Sequence, residues 1–130
     1  MNKNLSQSKD IYTSIKSVYS PYLKENIAYN SQGWGHIIRK NDGLRPSHEV
    51  AKRVKHIQDS AEIISISTTL QEYEERIVGG KLVIYYGFIA IINKQKLKII
   101  VRKNGNGGLH FYSLMTDYVT SPKRDRKNTT

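Results

Sequence analysis

The 130-residue chain carries 21 lysines and arginines against 11 aspartates and glutamates, which gives a formal net charge of +10 at pH 7. It has no cysteine, no long apolar run and no leader-like start, so we expect no disulfide, cysteine-ligated metal, membrane span or signal peptide. This length predicts one soluble domain, and the charge favours a polyanionic partner because each neutralised phosphate releases counterions.

The N-terminal third predicts helices. Apolar residues within residues 5–29 recur at spacings near 3.6, which places them on one side of a helix, and Pro21 predicts a break or kink just before it. Trp34 lies between two glycines in a turn-rich segment, where we expect it to anchor the following residues to the sheet. Residues 36–40 fit the first turns of another helix, and residues 41–46 predict a loop.

Residues 47–59 form the clearest predicted helix, with Ser47 as its N-cap and apolar residues on one face. The next segment is ambiguous. Residues 62–67 fit either a strand or a continuation of the helix, and residues 71–77 are polar enough for a surface helix or a loop.

In the second half the hydrophobic period changes to two, which predicts strands over Leu82–Asn93, Leu97–Arg102 and Leu109–Met115. Short turn sequences join them into an antiparallel meander, to which residues 62–67 would add a fourth strand. Gly87 predicts a bulge or bend in the first strand. Helices followed by strands predict an α+β domain, with N-terminal helices packed on a three- to four-stranded antiparallel sheet.

The four histidines, the first candidates for chemistry, are His36, His48, His56 and His110. Their spacing does not match the paired histidines of a zinc helix, and the sequence has no phosphate-binding glycine loop or serine-nucleophile elbow. The remaining His, Lys, Arg, Ser and Tyr residues suffice for RNA cleavage without a metal or cofactor. In that reaction the ribose 2′-hydroxyl is the nucleophile, so the protein supplies a base, an acid and cations that stabilise the phosphorane.

The segment after Trp34 supplies one group of candidates. His36 precedes Arg39 and Lys40 by three and four positions, so on a helix all three would share a face. A proton-transfer group would then lie beside two phosphate-binding cations. A surface histidine among surface cations fits the same spacing.

The predicted strands supply a second group. Lys98 and Arg102 project from one side of their strand, either towards a substrate or into solvent. The tyrosines best suited to stacking a base are Tyr85, Tyr86 and Tyr112, with core packing as the competing role for each.

The last predicted strand follows the glycine-rich turn of residues 104–108. His110 borders this turn, so its side chain either transfers a proton or has only a structural role in the turn. Strict alternation would place His110, Tyr112 and Leu114 on one face, and Phe111, Ser113 and Met115 on the other.

Three segments in this order resemble a known pattern: GWGHIIRKNDG (33–43), a helix ending in VKHI (54–57), and KLKIIVRKNGNGGLHFYSLM (96–115). The pattern is similar to that of the phage- and toxin-associated branch of the barnase/EndoU/colicin/RelE-like (BECR) ribonuclease superfamily. The resemblance covers residues 27–118. It implies helices packed on a four-stranded antiparallel sheet with a concave RNA-binding face.

The resemblance also implies a function and a domain organisation. Members of the superfamily are usually metal-independent ribonucleases, often cut tRNA, and are frequently toxins neutralised by an acidic immunity protein or antitoxin. Such a protein acts in the cytoplasm of its own cell or of a target cell. The corresponding organisation is an N-terminal helical segment (1–26) and a nuclease domain (27–118). A basic tail (119–130) follows, and its polar, charged composition predicts disorder.

The resemblance assigns roles to individual residues. His36 matches the functional histidine of the helix, and Lys40 stands where a histidine is often found. Arg102 matches the cation late in a strand, and Ser113 matches the hydroxyl residue of the last strand. His110 lies just before that motif and is the second candidate for proton transfer. The expected products carry a 2′,3′-cyclic phosphate and a 5′-hydroxyl.

Two other functions fit the same sequence. A non-catalytic nucleic-acid-binding module, or a phage or mobile-element accessory protein, would use the basic surface and the tyrosines but would need no histidine. A partner-binding protein would instead pair an exposed edge strand with another chain.

Overall fold

The computed structural model describes residues 2–40 and 43–116, and the tail expected at 119–130 lies outside this part. Within it the chain forms four helices, α1 (Asn2–Ile15), α2 (Ser31–Ile38), α3 (Ser47–Val54) and α4 (Ile57–Ile66). The strands are β1 (Ser17–Ser20), β2 (Glu25–Ala28), β3 (Arg39–Lys40), β4 (Gly43–Leu44), β5 (Glu72–Val78), β6 (Lys81–Ile92), β7 (Gln95–Asn104) and β8 (Leu109–Thr116). The α+β class is confirmed.

The main sheet has six strands in the order β1-β2-β8-β7-β6-β5, and β3 and β4 form a separate two-stranded sheet. Strands β5 to β8 are the predicted antiparallel meander, extended by one strand at its start. The β1–β2 hairpin adds two further strands, and β2 runs parallel to β8 through the pair Ala28–His110. The expected three- to four-stranded antiparallel sheet is therefore corrected to a mixed sheet of six strands.

The first helix, expected to reach a break or kink just before Pro21, ends at Ile15. Lys16 has a φ of 63°, which is outside the helical region, and the chain then enters the β1–β2 hairpin. Pro21 begins the turn of this hairpin, and its fixed φ and missing N–H suit a turn. The hairpin crosses the expected boundary between residues 26 and 27, and Tyr12 of α1 packs in the same core as Ile27.

The middle of the chain also differs from the sequence prediction. Residues 62–67 belong to the C-terminal part of α4 and its cap, and the fourth strand of the meander is β5. All seven residues of β5 are exposed, which explains why their polar composition did not indicate a strand. The predicted N-cap, Ser47, is the first helical residue, and Pro46 occupies the cap position without a side-chain hydrogen bond.

The core lies between the helices and one face of the sheet. Its centre is an aromatic cluster in which Tyr29 stacks on Phe111 with ring centroids 4.8 Å apart, and Tyr12 lies 5.7 Å from Trp34. The buried hydroxyl of Tyr29 is hydrogen-bonded to Ser60 at 2.8 Å. Trp34 is buried here as expected, and burial of each such ring contributes about 2–3 kcal/mol.

His56 has a structural environment. Its Nδ1 lies 2.8 Å from Asp59 and its Nε2 lies 3.0 Å from Gln95, so both ring nitrogens are occupied. The buried imidazole thus connects the α3–α4 junction to the first residue of β7.

In the described part of the chain, no helix is long and apolar enough to cross a membrane.

Candidate active site

A β-bulge in β8 decides which side chains reach the face of the sheet opposite the core, called here the open face. Ile100 pairs with Ser113 and Val101 pairs with Phe111, so Tyr112 is an extra residue between them. The expected alternation is therefore wrong beyond this point. Leu114 is buried in the core with Phe111, whereas Ser113 lies on the same face as His110.

Helix α2 lies beside β8 and carries His36. The side chain of Asn30 caps the helix, and its Oδ1 accepts hydrogen bonds from two backbone N–H groups. At Gly33, an added Cβ would lie 2.7 Å from the carbonyl oxygen of Phe111, so the helix backbone contacts the strand directly. At the other end, Nε and Nη2 of Arg45 both donate to the carbonyl oxygen of His36 at 3.1 Å. These contacts hold His36 beside β8.

A continuous row of rings and guanidinium groups crosses the open face, and we call it the ladder. The His36 ring lies 4.1 Å from the Tyr112 ring, which lies 5.4 Å from Tyr85. Arg102 Cζ is 5.0 Å from the Tyr112 centroid and 5.7 Å from that of Tyr85. Arg76 Cζ lies 5.1 Å over the Tyr85 ring. The ladder therefore presents alternating aromatic and cationic groups across strands β8 to β5.

His110 on β8 pairs with Arg102 on β7 and is only 6% exposed. Its Nε2 has no hydrogen-bond partner among the described residues. Burial lowers the pKa of His110, and the charges of Arg102 and His36 lower it further. Burial likewise lowers the pKa of His36, with additional contributions from Arg102 and Arg45. Both imidazoles are therefore biased towards the neutral form, which accepts a proton.

Beside the ladder the open face forms a groove of ≈ 220 Å³, lined by Glu72, Tyr73, Glu74, Arg76, Tyr85, Gly87, Lys98, Ile100 and Tyr112. Two ion pairs lie along it. Glu74 binds Arg76 through two hydrogen bonds of 2.7 and 3.1 Å, and Glu72 lies 2.7 Å from Lys98. The groove thus combines aromatic, cationic and anionic groups.

The structure brings four of the predicted site residues together: His36, Arg102, His110 and Tyr112. Ser113 lies on the same face, opposite Ile100, and Lys98 lines the groove. These positions are compatible with the predicted roles.

Three predicted residues lie elsewhere. Helix α2 ends at Ile38, so Arg39 and Lys40 are in the exposed strand β3 and do not share a helix face with His36. Within residues 2–40 and 43–116, neither cation makes a ring contact, ion pair or side-chain hydrogen bond to the ladder. Tyr86 packs against the core, on the face opposite the groove.

Sequence reasoning missed Arg76 and Arg45, and it did not distinguish Tyr85, which lies on the open face, from Tyr86, which does not. Charged residues at positions 72, 74 and 76 fit one face of a strand and would have placed Arg76 there, although Glu75 interrupts the alternation. For Arg45 the sequence holds no such signal, because its contact with His36 depends on how α2 packs against α3.

The described residues contain no group of three or more His, Asp or Glu side chains that could hold a metal ion. No protein-family model, no curated protein and no solved structure matches the chain. The arrangement of side chains on the open face is therefore the basis for assigning a function.

Proposed function

We propose that the protein is a metal-independent endoribonuclease that binds RNA across its open face. The observation that carries this proposal is that two imidazoles share one environment with the Arg102 guanidinium: His110 pairs with Arg102 across the strands, and His36 contacts the Tyr112 ring that Arg102 also contacts. The likeness to the BECR superfamily supports the same reaction. From the same likeness we propose a tRNA substrate, a toxin role, and an acidic immunity protein or antitoxin as the partner.

The reaction requires two proton transfers. One imidazole, in its neutral form, takes the proton of the ribose 2′-hydroxyl while this oxygen bonds to the adjacent phosphorus. The bond from phosphorus to the 5′-oxygen breaks, and the second imidazole, in its protonated form, donates a proton to that oxygen. The products are a 2′,3′-cyclic phosphate and a 5′-hydroxyl. His36 and His110 fill these two roles, and Arg102 stabilises the charge of the phosphorane.

The remainder of the ladder binds the substrate. Tyr85 and Tyr112 are half-buried, so their ring positions are fixed while parts of their surfaces stay accessible to a base. Arg76, with a side chain 57% exposed, can exchange its contact with Glu74 for a phosphate. A single strand suits this surface because its bases are free to stack on the rings.

The pKa values predict the pH dependence of cleavage. Both histidines have pKa values below the ordinary 6.5, so the protonated acid is scarce at neutral pH. The cleavage rate should rise below neutral pH and fall again when the base is protonated as well. We expect a bell-shaped profile with its maximum on the acid side of 6.5.

The test is incubation of the purified protein with total tRNA and with a single-stranded oligoribonucleotide in EDTA. The native protein should release fragments with 2′,3′-cyclic phosphate ends, and a 2′-deoxyribose at the cut site should block cleavage. His36→Gln should lower the rate by about 10²–10⁴-fold. His48→Gln is the matched control, because His48 is exposed on α3, and it should leave the rate unchanged. Absence of cleavage, or a fully active His36→Gln protein, contradicts the proposal.

The burial of His110 favours one alternative, a nucleic-acid-binding module without catalysis. At 6% exposure its imidazole is held as a packed residue would be. A binding module would retain RNA affinity in His36→Gln and His110→Gln, whereas Arg102→Gln would weaken binding and reduce its dependence on salt. RNA binding measured across a salt series, together with the cleavage assay, separates the two functions.

A further inference from the structure

Strand β5 is one edge of the main sheet. It is last in the strand order, and β6 is its only neighbour in the sheet among the described residues. All seven of its residues are exposed, and none is a proline or a lysine, the residues that commonly keep an edge strand from pairing with another chain. Within the described part of the chain, the backbone N–H and C=O groups of β5 that point away from β6 therefore have no strand to bind.

Strand β5 and the start of β6 also expose apolar side chains on the face of the sheet that carries the core, called here the core face. Ile77 is 70% exposed, and Leu82, its partner on β6, is 42% exposed. Tyr73 alternates with Ile77 onto the same face and is 53% exposed. Apolar surface beside a free strand edge is typical of a site that another chain covers.

The sequence of β5 is complementary to itself when two copies pair antiparallel about a two-fold axis through Glu75. Glu74 of one copy then lies opposite Arg76 of the other on the open face. On the core face, Tyr73 of one copy lies opposite Ile77 of the other. An axis through Glu74 or Arg76 would instead leave two of the seven residues of β5 unpaired. The register centred on Glu75 therefore pairs the whole strand and matches both charge and apolar character.

We propose that two copies of the chain pair through β5 and join their six-stranded sheets into one continuous sheet. The two-fold axis is perpendicular to the sheet, so the open faces of both copies lie on the same side. Arg76 lines the groove of its own copy, and the second copy places Glu74 opposite it at the rim of that groove. The dimer thus adds a residue of the second copy to each groove. It does not depend on the proposed function.

Glu75 is the one residue of this register that opposes pairing. It lies at the axis on the core face, so the carboxylates of the two copies face each other. Each carboxylate accepts a hydrogen bond of 2.5 Å from the Tyr73 hydroxyl of its own chain. Like charges directly opposite each other destabilise a strand pair, so Glu75 should keep the dimer weak and reversible.

The first test is sedimentation of the purified chain over a series of concentrations, which measures the equilibrium between monomer and dimer. The native chain should dimerise reversibly as its concentration rises. Glu75→Gln removes the like charges at the axis and should lower the dissociation constant of the dimer by about fivefold. A tighter dimer in this variant is specific to the proposed register, because a change elsewhere on the surface has no reason to strengthen it.

Charge reversal tests the pairing of Glu74 with Arg76. Glu74→Arg and Arg76→Glu each place like charges opposite each other, so each variant alone should raise the dissociation constant by about tenfold. Mixed in equal amounts, the two variants should form a heterodimer, because every arginine of one chain then lies opposite a glutamate of the other. Each variant has lost the Glu74–Arg76 pair within its own strand, so the recovery cannot come from within a monomer.

A matched pair of isoleucines tests the apolar contact. Ile77→Lys removes the contact with Tyr73 of the second copy and should raise the dissociation constant by about tenfold. Ile91→Lys is the control, because Ile91 is as exposed as Ile77, at 67% against 70%, and lies on β6 beyond the residues that pair with β5. This variant should dimerise as the native chain does.

The outcomes separate the dimer from its alternatives. A native chain that is monomeric at every concentration overturns the proposal, as it would if β5 binds a different protein. A dimer that both charge reversals and Ile77→Lys leave unchanged uses another surface and also overturns it. Failure of the mixed variants to form a heterodimer overturns the register. None of these measurements involves RNA, so the ribonuclease function stands or falls separately.

Discussion

The two faces of the main sheet are built from the same strands and differ in nearly every physical property. On the core face, Phe88, Ile99 and Phe111 are almost completely buried by the helices. On the open face, Tyr85, Arg102 and Tyr112 are half-buried and pack mainly against one another. Alternation along a strand therefore lets one face stabilise the fold while the other holds chemically reactive groups in place.

The faces also differ in how their buried polar groups are satisfied. On the core side, the Tyr12 hydroxyl donates to the carbonyl of Asn30 at 2.6 Å, and Tyr29 bonds Ser60. On the open face, Nε of Arg102 and Nε2 of His110 lack hydrogen-bond partners among the described residues. Unpaired buried polar groups are costly in a fold. Two of the three among the described residues lie where the proposed function places the substrate, and the third, Nε of Arg53, lies on α3.

The largest expected effect is a difference in the free energy of unfolding between variants of two neighbouring residues, Phe111 and Tyr112. Phe111→Ala removes a fully buried ring that stacks on Tyr29, so the free energy of unfolding should fall by about 3–5 kcal/mol. Tyr112→Leu removes only ladder contacts and should cost about 1 kcal/mol, while RNA binding falls. Urea denaturation measures both changes. Equal losses of stability would show that the open face contributes to the fold as much as the core does.

The second comparison uses the two glycines of α2. Gly33→Ala places a Cβ against Phe111 and the Tyr12 hydroxyl, and the resulting shift of the helix should cost about 1–3 kcal/mol. Gly35→Ala meets nothing nearer than Arg39 at 3.9 Å, so it should stabilise the helix by about 0.5–1 kcal/mol. Thermal unfolding of the two variants provides the measurement. A stable Gly33→Ala protein would refute close packing of α2 on β8.

The third comparison concerns the charges around the histidines. Arg102→Gln removes a cation that lowers the pKa of both His36 and His110, so both values should rise. Arg45→Gln should raise the pKa of His36 by less, because Arg45 contributes less than Arg102 does to lowering it. NMR titration of the imidazole protons measures each value without reference to activity. If the pKa values of His36 and His110 are unchanged in Arg102→Gln, Arg102 does not act on the two imidazoles.

The smallest expected effect is the pH dependence of stability. Because the folded-state pKa values of His36 and His110 lie below 6.5, the unfolded chain binds more protons than the folded chain as the pH falls through this region. Stability is therefore complete above the ordinary pKa and decreases towards acidic pH. Unfolding free energies from about pH 5 to 8 measure the slope. The slope should flatten in the His36→Gln/His110→Gln double variant and persist in His48→Gln. A rise in stability at acidic pH would contradict the lowered pKa values of His36 and His110.

Strands β6, β7 and β8 were predictable because their signals are local. Alternating apolar residues define each strand, and the turn between β6 and β7 is formed by Asn93 and Lys94, both at positive φ. The position of Arg102 late in its strand followed from the same short-range pattern. That of His36 did not, because it was expected in the first turns of a helix and lies in the last turn of α2. The hairpin at Pro21 and the edge strand β5 were not predictable in this way, since neither has a composition that excludes a helix or a loop.

The sequence by itself determined the α+β class, the meander at its centre and the pool of histidine, tyrosine and arginine side chains from which a site is built. Only the tertiary structure decided which of them meet. The extra residue at Tyr112 turns Ser113 to the open face, and the register of β6 on β7 selects Tyr85 and excludes Tyr86. Strand register is set by pairing between distant segments, and a shift of one residue exchanges the two faces of a strand, so local patterns cannot specify it.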